Sequence, residues 1–322
     1  MDDLDTLLLG EPVTLTREDV ERLSGVPAEV AYDIWAAMGF AEVPHGEIAF
    51  TTNDVEALRT AASLLEVGFI DSATLMVMAR AMGQEMARLA EGQVDVFRAM
   101  SDGLSMEQTL EVVGATAGVV LPKIDQLVLF VWRRQFAAAV QRSIAAVRED
   151  GMQIMAVGFL DLVGFTRSSR EWDAGRLGRT LERFERDTAL RVAAEGGRVV
   201  KTLGDGVLFT TATVAGAVGV ALDTVEAHEL DADLPAVRGG VAAGPVLLRL
   251  GDVFGEPVNV ASRLSDEARP GSVLLDREAR AGLPDGSFDL KPLARRAVRG
   301  YRSLSPYLVR RQTGQAAPAA PG

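Results

Sequence analysis

Two carboxylates in the second half of this 322-residue chain could do chemistry together, and the first stands at the end of a strand that gains nothing structural from charge. Asp161 closes the apolar run MAVGFLDL, and Asp205 occupies the Gly204-Asp205-Gly206 turn between the strand-like segments VVKTL and VLFTT. If these strands are neighbours in one sheet, both carboxylates emerge at one edge, close enough to share a cation. Hard cations such as Mg²⁺ take oxygen ligands and commonly bind through one or two carboxylates plus substrate phosphates. The next residues, Leu162-Val163-Gly164-Phe165-Thr166, read as a turn into a helix whose backbone N–H groups suit a polyphosphate. Together these features point to metal-assisted phosphoryl or nucleotidyl transfer. Taken singly each is weak, because an Asp in a Gly-flanked turn is more often structural.

Composition narrows the alternatives. Hydrophobic residues make up 48% of the chain, enough for sizeable cores. The best candidate for a membrane span, VVGATAGVVLPKIDQLVLFVW over 112–132, is interrupted by Pro122, Lys123 and Asp125, so no span is expected. The acidic start MDDLDTLLLG lacks the basic flank of a secretory signal. The chain has no cysteine, which excludes disulfides, thiolate zinc sites and cysteine nucleophiles, and fits a cytoplasmic location. With only His45 and His228, histidine metal clusters and a serine–histidine triad are disfavoured; each histidine reads as an ordinary surface residue. The net charge of −12 is uneven: residues 1–150 carry 24 acidic and 11 basic side chains, residues 151–322 carry 21 and 22. Two units with different tasks are implied, and nucleic acid is not an expected partner, since no basic cluster is available to track phosphates.

Residues 1–122 read as a helical domain. Thr16-Arg17-Glu18-Asp19 resembles a capping box opening a helix that stops near Gly25, and AEVAYDIWAAMGF forms a second. After a short extended segment, Thr52 or Asn53 caps a third. This order distantly resembles the MerR-type winged helix, but SGVPAEVAYDIWAAMG contains no Lys or Arg, so DNA reading is not expected. Met76, Met78, Met82 and Met86 on the next helix suit a bundle core or dimer interface; an adaptable groove for an apolar or acyl ligand is the lesser reading. Residues 123–150 form a stiff connecting helix. From 151 to 311 strands and helices alternate, as in an α/β sandwich, with VRGGVAAGPVLLRLG read as a strand pair. The tail 312–322 is expected to be disordered.

The ordered motifs FLDLVGFT, VVKTLGDG and GDVFGEPVNVASRL resemble the class III nucleotidyl cyclase catalytic domain, over roughly 152–311. The N-terminal half resembles, less closely, the regulatory domain of soluble, pH-responsive actinobacterial adenylyl cyclases. The resemblance implies a ferredoxin-like (palm) α/β catalytic domain behind an all-α regulatory domain with a winged-helix-like start. It makes Asp161, Leu162 and Asp205 the metal set for two divalent cations, Mg²⁺ or Mn²⁺, and assigns substrate contacts to Val163, Gly164, Phe165 and Thr166. Lys201 and Asp252 become the purine-reading pair, and Asn259 and Arg263 the transition-state pair, spaced i and i+4 on one helix face. The chemistry of Lys201 and Asp252 agrees: Lys only donates and ionised Asp only accepts, which matches adenine N1 and N6 and mismatches guanine. The family's terminal-phosphate lysine is missing from AVRGYRSLSPY; Arg299 and Arg302 are the candidate replacements, and the motif leaves the choice open.

The expectation is therefore a homodimeric adenylyl cyclase with composite active sites, regulated by its N-terminal domain. The rivals are a cyclase of another nucleotide and a catalytically silent nucleotide sensor resembling a transcription regulator.

Overall fold

In a computed structural model the described residues are 2–68, 70–145, 152–165, 171–298 and 301–312. They form two compact units, Met1–Val140 and Gln141–Gly322.

The first unit is helical apart from a two-stranded ribbon. Its elements are α1 (Asp2–Leu9), β1 (Leu15–Thr16), α2 (Arg17–Ser24), α3 (Ala28–Ala37), β2 (Ile48–Phe50), α4 (Thr52–Glu66) and α5 (Ser72–Ser101). Thr16 and Asp19 cap α2 reciprocally, and Gly25 ends it at φ 73°, a left-handed conformation glycine adopts without penalty. The α4 cap is Thr51, one residue before the expected start, because Asp54 reaches back to the Thr51 amide at 2.6 Å. Val20, Ile34, Phe50, Val55, Leu58 and Leu75 form the core, with Trp35 edge-on to Phe50. Met78, Met82 and Met86 are exposed on α5, outside this core. A cavity of about 70 Å³ in this unit is lined by Tyr32, Trp35, Phe40 and Phe50 rather than by methionines. His45 is exposed and pairs with Glu18 at 2.7 Å.

Next come α6 (Met106–Ala115), a π-turn (Thr116–Val120) and α7 (Leu121–Ala145), with no intervening loop. Pro122 was expected to break this run. It falls just after the π-turn, a widened turn of the kind at which helices accommodate irregularity. Among the described residues Glu111–Ser143 is one helix long and apolar enough to cross a membrane by length and composition alone. Residues 146–150 of the connector and the tail from 313 lie outside the described residues.

The second unit is built on β3 (Met152–Leu162), α8 (Ala174–Ala194), β4 (Arg198–Leu203), β5 (Gly206–Thr211), α9 (Val214–Glu229) and β6 (Val237–Arg249). β7 (Asp252–Phe254), α10 (Glu256–Glu267), β8 (Val273–Leu275), α11 (Arg277–Ala281), β9 (Asp289–Pro292), the hairpin β10 (Arg296–Val298) and β11 (Tyr301–Leu304), and β12 (Tyr307–Arg310) follow. The sheet order β4-β5-β3-β6 is the βαββαβ arrangement of a ferredoxin-like core, extended by β8, β12 and β9, with β7 paired to β6. VRGGVAAGPVLLR is one long strand, not a strand pair, because it stays paired with β3 through Gly244 and Pro245.

β3 alternates as a strand buried on both faces must. Ala156, Leu160 and Leu162 face the cluster containing Phe184 of α8 and Val218 of α9, while Val157 and Phe159 face Val260 and Leu264 of α10. Full burial of each such large side chain contributes about 1.5–3 kcal/mol. Asp161, by the same alternation, lies on the α10 side. His228 is buried, not superficial: Nδ1 lies 2.8 Å from the Pro235 carbonyl and the ring meets Phe184 edge-on. Burial holds its pKa below the ordinary histidine value.

Two predictions follow from this packing. A Cβ at Gly240 would meet the Ala261 carbonyl oxygen at 2.2 Å and the Ser265 nitrogen at 2.5 Å. Gly240→Ala should therefore lift α10 from the sheet and cost about 1–3 kcal/mol in denaturant unfolding. Asp276, which caps α11 through the Ala279 amide at 2.7 Å, is pushed up to about 7, chiefly by burial. Because the folded state keeps a proton that the unfolded state releases, this group's contribution is full below pH ~4 and lost as pH rises towards ~7. Asp276→Asn retains a capping oxygen, so its thermal midpoint should fall less steeply than the parent's over that window.

Candidate active site

Pairing of β3 with both its neighbours brings the two carboxylates to one edge. Asp161 lies opposite Gly206 of β5, and the Leu162 N–H donates to the Asp205 carbonyl at 3.0 Å. On its other side Asp161 lies opposite Arg238, the second residue of β6. Arg238 Nε and Nη2 donate to Asp161 Oδ2 at 2.8 and 2.7 Å, and Nη1 donates to the Asp266 carbonyl at 2.8 Å. Burial raises the Asp161 pKa; Arg238 opposes that rise, and the charges of Asp205 and Asp266 add to it. Arg238 escaped the sequence reading. Its signal was the same as that of Asp161: a charge placed inside an otherwise apolar strand.

Two amides after Asp161 are engaged within the protein. The Leu162 amide is taken by Asp205 and the Val163 amide by the Ala236 carbonyl, at 2.8 Å. Neither is offered to a phosphate. Gly164 adopts φ 75°, and Phe165 is buried edge-on against Trp172, as part of the core. Thr166 and Arg299 lie outside the described residues, as do the side chains of Tyr301 and Arg302; the backbone of the last two lies on β11.

Lys201 and Asp252, 51 positions apart, are joined by a bond of 2.6 Å between Nζ and Oδ2. Burial pushes the Asp252 carboxyl up. The Lys201 bond and charge, the Val253 amide and Arg198 together hold it below the ordinary carboxylate range. Lys201 follows a β-bulge in β4, a feature that re-aims side chains. Asn259 and Arg263 share the exposed face of α10, while Val260, Ala261, Leu264 and Ser265 are buried beneath. Arg263 Nη1 lies 3.3 Å from Asp266 Oδ2. Asp266 thus stands between the two arginines, Arg263 and Arg238.

The donor set fits a hard divalent cation. Two neighbouring carboxylates repel each other, and both offer only oxygen. Among the described residues no group of three or more His, Cys, Asp or Glu side chains converges. A cation held by Asp161 and Asp205 would therefore complete its shell with backbone oxygen, water and substrate phosphate.

The adenylate and guanylate cyclase catalytic domain matches residues 147–311. An adenylate cyclase of Streptomyces coelicolor is 39% identical over 97% of this chain and 90% of its own length. The chain belongs to the class III cyclase family. A second adenylate cyclase, of Streptomyces griseus, is 36% identical over 96% of this chain and 88% of its own length. A pH-sensitive adenylate cyclase of Mycobacterium tuberculosis is 29% identical over 92% and 78%. In this cyclase domain the motif residues therefore stand in three groups: Asp161 with Asp205, Lys201 with Asp252, and Asn259 with Arg263.

Arg238→Ala would leave Asp161, mostly buried, without its counter-charge. A loss of about 2 kcal/mol in thermal unfolding is expected, and added Mn²⁺ should recover part of it in the variant.

Proposed function

We propose that this chain is a cytoplasmic adenylyl cyclase that converts ATP to 3′,5′-cyclic AMP and pyrophosphate, as a homodimer under control of its helical unit. The observation that carries the reading is the Lys201–Asp252 pair, already formed at 2.6 Å. A donor-only and an acceptor-only side chain held together complement the N1 acceptor and N6 donor of adenine. Guanine would set its N1 donor and O6 acceptor against the wrong partners, which argues against GTP. The names of the Streptomyces relatives support the same choice.

In this reading the ribose 3′-oxygen attacks the α-phosphorus, its proton passes to water, and the bond to the β-phosphate breaks with its electrons leaving on pyrophosphate. Asn259 orients the ribose and Arg263 meets the negative charge growing on the α-phosphate. Asp161 and Asp205 would hold two divalent cations, which when bound supply Lewis-acid activation of the hydroxyl and neutralise the triphosphate. Asp161 faces Arg238 at the start of β6, whereas Asp252 faces Arg249 at its end. That separation along one chain favours sites completed by a second copy, with the cations on one protomer and the base on its partner.

The apolar helix Glu111–Ser143 bears on location and control. Lys123 and Asp125 fall within its apolar stretch, and a charge at a bilayer centre costs at least about 2.5–3.5 kcal/mol. Packing of this helix against protein is therefore preferred over insertion. Control by pH is supported by the name of the mycobacterial relative, and the exposed His45–Glu18 pair is the first position to vary.

The test is product formation from ATP, GTP, CTP and UTP by the full chain, with Mn²⁺ and with Mg²⁺, and with Asp161→Ala as blank. Cyclic AMP should dominate, and Arg263→Ala should lower kcat by roughly 10²–10³. No cyclic nucleotide from folded, dimeric protein would favour the silent sensor instead.

A further inference from the structure

The β6–β7 turn that carries Asp252 is held by more than its own strands. Leu250 has φ 52° and Gly251 φ 78°, two successive left-handed residues, and Leu250 is the non-glycine residue with positive φ among those described. Leucine disfavours that region, so such a turn gains from an external tie. Arg198, the first residue of β4, supplies one: its Nη1 donates to the Gly251 carbonyl at 2.6 Å. β4 and β7 are not ladder neighbours, since β5 and β3 separate β4 from β6 in the sheet. Side chains therefore make the link, Arg198 to the turn backbone and Lys201 to the Asp252 carboxylate. Arg198 is half-buried, and its charge also acts on Asp252.

The two links behave differently once a base arrives. Lys201 and Asp252 must each direct hydrogen-bonding capacity to the ring edge, which loosens their mutual bond. The Arg198–Gly251 bond uses no group that a base would need and can persist. We propose that Arg198 is a positioning residue for base selection: by tying the Leu250–Gly251 turn to β4 it fixes the Asp252 carboxylate relative to Lys201 while both engage adenine. This rests on the adenylyl cyclase reading above.

The experiment compares Arg198→Ala, Arg198→Lys and Asp252→Asn with the parent full-length protein, measuring kcat and KM for ATP and GTP and the thermal midpoint. Arg198→Ala should raise KM for ATP and lower the ATP-to-GTP ratio of kcat/KM by about tenfold each, the loss expected of one hydrogen bond from a charged donor. Its kcat for ATP should stay within about threefold, and its midpoint close to the parent's. Arg198→Lys, which keeps a donor, should fall between and carries the same test if the alanine variant does not fold. An unchanged ratio, or equal losses for both nucleotides with a lowered midpoint, would overturn the inference and leave Arg198 a stabilising residue. Asp252→Asn separates the two levels. If it leaves the ratio unchanged, the base-reading assignment itself fails; if it shifts the ratio and the Arg198 variants do not, only the role of Arg198 fails.

Discussion

The antiparallel pairing of β3 with β6, from Met152 opposite Leu247 to Leu162 opposite Val237, is the constraint on which the catalytic half depends. Side chains alternate with a period of two, so a slip of one residue would exchange the faces of the whole strand. Leu160 and Leu162 would leave the helices α8 and α9, and Asp161 would turn away from α10. The same register sets Phe159 opposite Gly240, the glycine over which the α10 backbone passes. One pairing thus fixes a carboxylate, its arginine and the seat of the helix that bears Asn259 and Arg263. It resists slipping because β3 is buried on both faces, and neither face tolerates exchange.

What the sequence disclosed follows from how local each feature is. The strand ending in Asp161, the Gly204-Asp205-Gly206 turn and the i, i+4 spacing of Asn259 and Arg263 are written in contiguous residues, and all three were legible. The Lys201–Asp252 contact spans 51 positions and, like the roles of Asn259 and Arg263, was reached only through the family resemblance. Arg238 and Arg198 were missed because each acts on a residue distant in sequence, although Arg238, like Asp161, is a charge within an otherwise apolar strand. Pro245 and Gly244 look like a break in β6, yet pairing with β3 on one side carries the strand through. Pro122 misled in the same way, since its position just after the π-turn could not be read from composition.

The helical unit is governed by a different balance. Its core is small, centred on Ile34, Phe50 and Leu58, while the helices beyond it leave Met82, Val96, Met100, Leu127, Phe130, Trp132 and Phe136 exposed. Exposed apolar helix faces of that length are costly to leave in water. A helix that is apolar on all sides is ordinarily enclosed by other protein or by lipid. In the proposed homodimer a second copy would cover them, and any signal that altered that cover would act on the helix leading into β3. The acidity of this half, 24 Asp and Glu among the first 150 residues, then keeps the uncovered surface soluble.

Charge at the site has its own logic. Around the start of β6 stand three carboxylates, Asp161, Asp205 and Asp266, and two guanidiniums, Arg238 and Arg263. The balance is one negative charge, in surroundings that already raise the pKa of Asp161. A nucleoside triphosphate brought alone to that edge would meet net repulsion, and a divalent cation brought alone would meet attraction that Arg238 partly cancels. In the proposed cyclase, cations held by Asp161 and Asp205 would serve beside Arg238 as counter-charge for Asp161 and would offset the triphosphate. In that cyclase, nucleotide and metal together would therefore meet less repulsion at this edge than the nucleotide would alone.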